Sequence, residues 1–323
     1  MENFKLNGSK RINNVPLDLN DEFMLNLSIK VRLGEKLYPI VDTKVPEDDE
    51  EKRKLCMQVK KECLSYLKIV VEIIIYFFEK KRKIVKSLII FDFDKTITLN
   101  DVFEEQRFLL PSKEEQDEVM DKLYYENWTS LMSSFYERIF ELNISISDIN
   151  NYIDTIDFNP GMIELLKYFE NRKQRYSLVV LSAGHYLQVM RMLERFNLSI
   201  LFDEIITIPS HIENGKIIIT QRHNYICDIC NVGQCKTHEY NLLIEKFKKT
   251  KNIIFDKVYY ICDGLNDFCL ARNLKKNDIL FVKKGLSLYK ALFDQGMINN
   301  ITSKFSVWDN GFELLKYFKD IER

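Results

Sequence analysis

Residues 87–98, Ser-Leu-Ile-Ile-Phe-Asp-Phe-Asp-Lys-Thr-Ile-Thr, constrain the fold more than any other stretch of this chain. Leu88, Ile89, Ile90 and Phe91 form a short unbroken apolar run, the pattern of a strand buried on both faces of a parallel sheet. The run ends in two carboxylates, Asp92 and Asp94. Open α/β sheets bind ligands at the carboxyl ends of their strands, so both acids fall at the mouth of such a site. Side chains two apart on extended backbone point the same way and can face one ligand. Two like charges that close favour a cation between them, which makes a divalent metal and a phosphoryl group the natural guests. Lys257 to Asp267 repeats the pattern: an apolar run reaches Asp263, Gly264 permits a sharp turn, and Asp267 follows. Ser177 to Ser182 reads as a third buried strand, ending in a hydroxyl.

The expected architecture is therefore α/β, a doubly wound parallel sheet of the Rossmann type. The 323 residues suffice for a sizeable core, and 46% hydrophobic with 29% charged residues is ordinary for a globular chain. A formal charge of −1 supplies no basic face, so nucleic acid is not an expected partner. Met1 to Lys10 lacks the apolar core of a signal peptide, which predicts a cytoplasmic location and reduced cysteines. Residues 1–82 read as an N-terminal extension, a polar segment followed by an amphipathic helix over about 51–81 carrying Val59, Cys63, Leu67, Val70, Ile74 and Phe77 at helical spacing. Lys68 and Glu72 interrupt its apolar stretch, so no transmembrane segment is expected; the helix reads as packed on the second domain, with an interfacial or partner-binding role, its partner unknown, as the alternative. Residues 83–323 read as the second domain. Its stretch 102–155 is helical, with Trp128, Leu131, Phe135, Ile139 and Phe140 as one apolar stripe. Pro160 and Gly161 open a helix from Met162 to about Glu170, and Glu213-Asn214-Gly215 marks a hairpin between 204–208 and 216–220.

His223, Cys227, Cys230 and Cys235 form a second constellation. A Cys-X-X-Cys with a third Cys and a nearby His can give tetrahedral zinc. Small buried residues in an irregular loop, or a redox pair, account for the same pattern. Cys56, Cys63, Cys262 and Cys269 read as core thiols.

Asp92-Phe93-Asp94-Lys95-Thr96-Ile97-Thr98 together with Asp263-Gly264-Leu265-Asn266-Asp267 resembles the first and fourth motifs of haloacid-dehalogenase-type phosphatases. The cysteine cluster, Asn159-Pro160-Gly161-Met162 and Val307-Trp308 narrow the resemblance to the phosphoethanolamine/phosphocholine and pyridoxal phosphate phosphatase family, over about Lys86 to the C-terminus. That resemblance implies a Mg²⁺-dependent phosphatase acting on a small-molecule phosphate ester through an aspartyl phosphate, with the helices at 102–155 as a cap. It implies Asp92 as nucleophile, Asp94 as general acid and base, and Ser182 and Lys236 around the phosphate. The metal falls to Asp92, Asp94 through its carbonyl, and Asp263, while Asp267 either binds a metal water or orients Lys236. A scaffold protein that kept the fold and lost turnover is the alternative, and the intact acids argue against it. The family's acid after the Ser is replaced here by Ala183, Gly184 and His185, and its second acid aligns with Phe103, or with Asp101 across a small gap. Weak preference for an amine ester follows, with His185 facing the leaving group.

Overall fold

In the computed structural model the chain divides into two compact units, Met1–Arg82 and Lys83–Arg323. The structure describes residues 26–33, 36–44, scattered positions between 48 and 61, then 84–122, 127–223, 227, 229–230 and 234–322. In the first unit, strands β1 (Asn26–Leu33) and β2 (Lys36–Lys44) pair antiparallel. The hairpin falls within the segment read as polar. Leu27, Ile29, Val31 and Leu33 alternate with Ser28, Lys30 and Arg32, and this period-two pattern suits a strand. Most of the helix expected over 51–81, including Cys56, Cys63, Val70, Ile74 and Phe77, lies outside the described residues.

The second unit runs β3 (Ile84–Phe91), α1 (Val102–Gln106), α2 (Lys113–Lys122), α3 (Trp128–Glu141), α4 (Ile146–Ile153), α5 (Met162–Glu170) and β4 (Tyr176–His185). It continues through α6 (Tyr186–Glu194), β5 (Glu204–Ile208), β6 (Ser210–Glu213), β7 (Lys216–Ile219), α7 (Lys236–Lys246) and β8 (Ile253–Cys262). α8 (Phe268–Ala271), β9 (Ile279–Lys283), α9 (Ser287–Phe293), β10 (Lys304–Trp308) and α10 (Gly311–Asp320) complete it. Six strands form one parallel sheet in the order β10-β9-β8-β3-β4-β5. The chain builds outward from β3 through β4 and β5, then returns to β3's other side as β8. That reversal puts the topological switch point at the carboxyl ends of β3 and β8, where Asp92 and Asp263 begin their loops.

Strand periodicity divides the core. Ile89 and Phe91 of β3, with Leu178 and Val180 of β4, pack on one face against α5, α6 and α10. Leu88, Ile90, Val179 and Leu181 pack on the other, against Leu243 of α7, Leu270 of α8 and Leu288 and Leu292 of α9. Both faces are covered, which is why these strands read as continuous apolar runs rather than alternating ones.

Two local readings are refined. β5 belongs to the main sheet, and the hairpin is instead β6 with β7, turning through Asn214 and Gly215 at positive φ. In α3, Leu131, Phe135 and Ile139 are buried, but Phe140 is exposed beneath Lys216 and its expected place is taken by Met132 and Tyr136. No described helix is long and apolar enough to cross a membrane.

Where α5 and α10 begin, two glycines meet. Gly161 has φ +77°, and a Cβ there would lie 2.4 Å from the Phe312 nitrogen. Gly311 donates its N–H to Pro160 O at 2.7 Å. Gly215 has nearly the same φ, +78°, with nothing within 4 Å of an added Cβ. Gly161→Ala is therefore expected to cost clearly more than the ~1–2 kcal/mol of left-handed backbone, and Gly215→Ala no more than that. Urea unfolding of the two variants checks it, and equal losses would contradict the close-approach argument.

Candidate active site

Asp92 directly follows β3, and its N–H extends the ladder to Ile261 O of β8 at 2.9 Å. It continues the parity of Leu88 and Ile90, the face on which α7 packs, and α7 begins with Lys236. The Lys236 ammonium, 2% exposed, donates to Asp92 Oδ1 at 2.6 Å and to Asp267 Oδ1. Asp267 also accepts from the Tyr260 hydroxyl and, through Oδ2, from the Gly264 N–H at 2.9 Å. Of the two roles open to Asp267, the contacts favour orienting Lys236. Burial alone would pull the Lys236 ammonium down; the Asp267 and Asp92 carboxylates outweigh it and hold it protonated above the usual lysine range.

Asp92, Asp263 and Asp267 bring carboxylate oxygens within 4.8 Å of one another, all buried. Burial raises Asp92 first, with Asp267 adding to it, although Lys236 opposes both. Asp263 is pushed well above the carboxylate range by burial and then by Asp92. Asp94 is pushed up likewise, by burial and then Asp101.

The loop after β3 is tightly wound. Lys95 takes a left-handed φ of 55°, and the N–H groups of Thr96, Ile97 and Thr98 all point at Phe93 O, at 2.8–3.2 Å. Asn159 braces it, donating to Thr96 O at 3.0 Å, which gives the Asn-Pro-Gly-Met stretch its place beside the site. Asp94 Oδ1 accepts from the Val102 N–H at 2.8 Å. Its other oxygen lies on the side of Gly184. A Cβ on Gly184 would sit 3.2 Å from Asp94 Oδ2, 3.1 Å from Ser182 Oγ and 2.7 Å from Gln188 Nε2. Glycine here leaves those three polar atoms open to a common space. Ser182 Oγ accepts from the Gly184 N–H at 2.9 Å, so it stands at the strand end expected of it. The structure thus brings Asp92, Asp94, Ser182, Lys236, Asp263 and Asp267 to one end of the sheet.

The family model described as "Putative Phosphatase" matches residues 87–321. The chain belongs to this phosphatase family. Over 239 residues it is 26% identical to the pyridoxal phosphate phosphatase PHOSPHO2 of Bos taurus, covering 72% of this chain and 98% of that protein. It is 21% identical over 241 residues to the phosphoethanolamine/phosphocholine phosphatase of Gallus gallus, covering 73% and 89% respectively. Among solved structures, an apo phosphoserine phosphatase aligns with a TM-score of 0.47 at 20% identity, covering 72% of this chain and 98% of that one.

The helices that follow β3 reach the phosphatase site through polar contacts. Trp128 Nε1 donates to Ala183 O at 2.8 Å. The Tyr136 hydroxyl bonds Gln106 Oε1 at 2.8 Å and His185 Nε2 at 2.7 Å, and His185 Nδ1 meets Ser210 Oγ at 3.0 Å. Both ring nitrogens of His185 are thus engaged, and burial lowers its pKa to about 3, so it is neutral. The expectation that His185 faces the leaving group is corrected. Asp101 is also committed: it caps α1, accepting from the Phe103 and Glu104 N–H groups, each at 3.1 Å. Sequence reasoning missed Gln188, whose amide Oε1 accepts from Gln106 while its buried Nε2 has no hydrogen-bond partner among the described residues. Its only sequence signal was a Gln on the otherwise apolar face of α6.

Around the cysteines, the thiols of Cys227, Cys230, Cys235 and Cys269 lie within 4.8 Å of one another. His223, expected among them, instead accepts the Cys235 N–H on Nε2 at 3.2 Å and stands 3.4 Å from Glu239. Cys269, read as a core thiol, takes its place because the short helix after Asp267 turns it toward the loop, a proximity that no local spacing encodes. Cys262 is a buried core thiol as expected.

Asp101 carries a pH signature. Burial, then Glu104, raises its pKa to about 6 from 3.8. The folded protein therefore binds this proton more tightly than the unfolded chain, so Asp101 lowers stability as pH rises from about 4 to 6. Asp101→Asn keeps a good cap and removes the titration. Its stability relative to wild type should improve by about 1–3 kcal/mol between pH 4 and pH 7, read from urea midpoints. A pH-independent difference would contradict the assignment.

Proposed function

We propose that this phosphatase hydrolyses a small-molecule phosphate monoester with Mg²⁺ as cofactor, through a phosphoryl group carried on Asp92. The observation that supports this most is the buried cluster of Asp92, Asp263 and Asp267, the first and last of them paired with the Lys236 ammonium. Carboxylates gathered this closely favour a cation between them, and hard oxygen donors are the ligands Mg²⁺ takes. Asp92 and Asp263, with the Asp94 carbonyl, would hold the ion, and Asp267 remains with Lys236. When bound, the cation neutralises charge on the transferring group.

Asp92 attacks phosphorus in line, the ester P–O bond breaks, and the leaving oxygen takes a proton from Asp94. Water then attacks the same phosphorus, passes a proton back to Asp94, and releases phosphate and the Asp92 carboxylate. The Val102 N–H occupies Asp94 Oδ1, which leaves Oδ2 to handle the proton. Lys236 and Ser182 cradle the phosphoryl oxygens. The helices α1–α4 serve as the cap, excluding water and choosing the leaving group. Asp92→Asn should stay folded and lose turnover by about 10³-fold or more, because an amide cannot carry the phosphoryl group. A chelator should silence wild type and added Mg²⁺ restore it. Near-normal turnover by the Asn variant would overturn the mechanism.

The substrate is a phosphate ester with an uncharged or aromatic leaving group rather than a cationic amine. Asp101 is spent on a helix cap, and Ala183, Gly184 and His185 after Ser182 supply no carboxylate for an ammonium. A charged hydrogen bond of ~1.5–3 kcal/mol is thereby missing, about tenfold or more in selectivity. The check is kcat/KM for phosphoethanolamine, phosphocholine, pyridoxal phosphate and sugar phosphates under one set of conditions. Pyridoxal phosphate is expected to exceed both amine esters. Either amine ester ahead by more than tenfold would refute the pocket argument.

A further inference from the structure

We propose that Cys227, Cys230, Cys235 and Cys269 form a tetrathiolate zinc site that fixes the Lys236–Asp267 arm of the active site. Four sulfurs meet here within 4.8 Å of one another. A zinc ion with Zn–S bonds of about 2.3 Å holds its thiolates on a tetrahedron with edges of about 3.8 Å, so the cluster is already near that size. All four are free thiols, three of them buried and Cys227 half-buried.

The chain holds one sulfur in place with its own backbone. Cys227 Sγ accepts N–H bonds from Ile229 at 3.4 Å and from Cys230 at 3.3 Å. Backbone donors folded back onto the first sulfur of a Cys-X-X-Cys fix its direction, as the partners surrounding metal ligands generally do. Small residues filling a core would have no reason to turn all four sulfurs to one point. Redox chemistry needs one pair, and here a second pair closes the group. Four protein ligands leave no open position, which assigns the site a structural role rather than a catalytic one.

Position gives the site its consequence. Cys235 immediately precedes Lys236 at the start of α7, and Cys269 lies two residues beyond Asp267 in α8. Lys236 and Asp267 are ion-paired across these two segments. A metal joining Cys235 to Cys269 would therefore cross-link both partners of that pair, and bind the irregular loop carrying Cys227 and Cys230 to the same point. His223 takes the Cys235 N–H and so orients a ligand without being one.

Calling this arm catalytic rests on the proposed function; the zinc does not, because its tests read metal and sulfur rather than turnover. The full-length protein, purified without chelator, should hold about one equivalent of zinc by elemental analysis. X-ray absorption at the zinc edge should give four sulfur neighbours near ~2.3 Å. Cys269→Ser should lose the metal, and His223→Ala should keep it. Should Cys269→Ser fail to fold, the wild-type absorption spectrum decides alone. In zinc-stripped protein, amide hydrogen exchange should rise by about tenfold or more in residues 234–246 and 264–271, and not in residues 87–93. Protein without zinc, a shell of three sulfurs and one nitrogen, or metal lost with His223 and kept without Cys269 would overturn the site. Unchanged exchange on stripping would overturn its clamping role.

Discussion

The buried ammonium of Lys236 between Asp92 and Asp267 is the interaction on which the active end of this phosphatase depends. Each of these groups would be costly to bury alone. Paired at 2.6 Å and closer, and supported by the Tyr260 hydroxyl and the Gly264 N–H, they are tolerated together. The pair also joins three segments that are distant in sequence: the loop after β3, the start of α7 and the turn after β8. Removing one partner leaves the others charged in a low-dielectric interior, a loss of ~3–5 kcal/mol in comparable buried pairs. Asp263 brings a third carboxylate within 4.8 Å of those of Asp92 and Asp267, a grouping of hard oxygen donors that suits a cation.

The sheet supplies the frame for that interaction. β3 and β8 are neighbours at the point where strand order reverses, so their loops open on one crevice. Periodicity along β3 aims Asp92 toward the face that carries α7. Gly184 clears space between Asp94, Ser182 and Gln188, and Asn159 pins the wound loop through Thr96 O. Polar contacts through Trp128, Tyr136 and Gln106 then lock the helices after β3 onto β4 and α6.

Much of this was legible in the sequence, for a physical reason. Strands buried on both faces must be apolar throughout, so Leu88–Phe91 and Val258–Cys262 stand out, and acids at their ends have few structural explanations. Lys236 and Ser182 were less visible from the residues themselves, since a Lys before a helix and a Ser ending a strand are common; the family resemblance singled them out. What stayed hidden depended on tertiary proximity. Cys269 joins thiols far from it in sequence, and His223 lies beside the group without entering it. His185 could be placed near the site, but only its partners Tyr136 and Ser210 reveal that both nitrogens are occupied. The β1–β2 hairpin was missed differently: its alternation was present in the sequence, hidden by the surrounding polar composition.

Lys236 and Asp267 act as one buried unit that organises this end of the sheet. A double-mutant cycle with Lys236→Met and Asp267→Asn, measured by urea unfolding at pH 7, tests it most directly. The account predicts a coupling energy of about 2 kcal/mol or more, with the double variant losing far less than the sum of the single losses. Single losses that add to within ~0.5 kcal/mol would contradict it, and would mean that the two residues stabilise the fold independently.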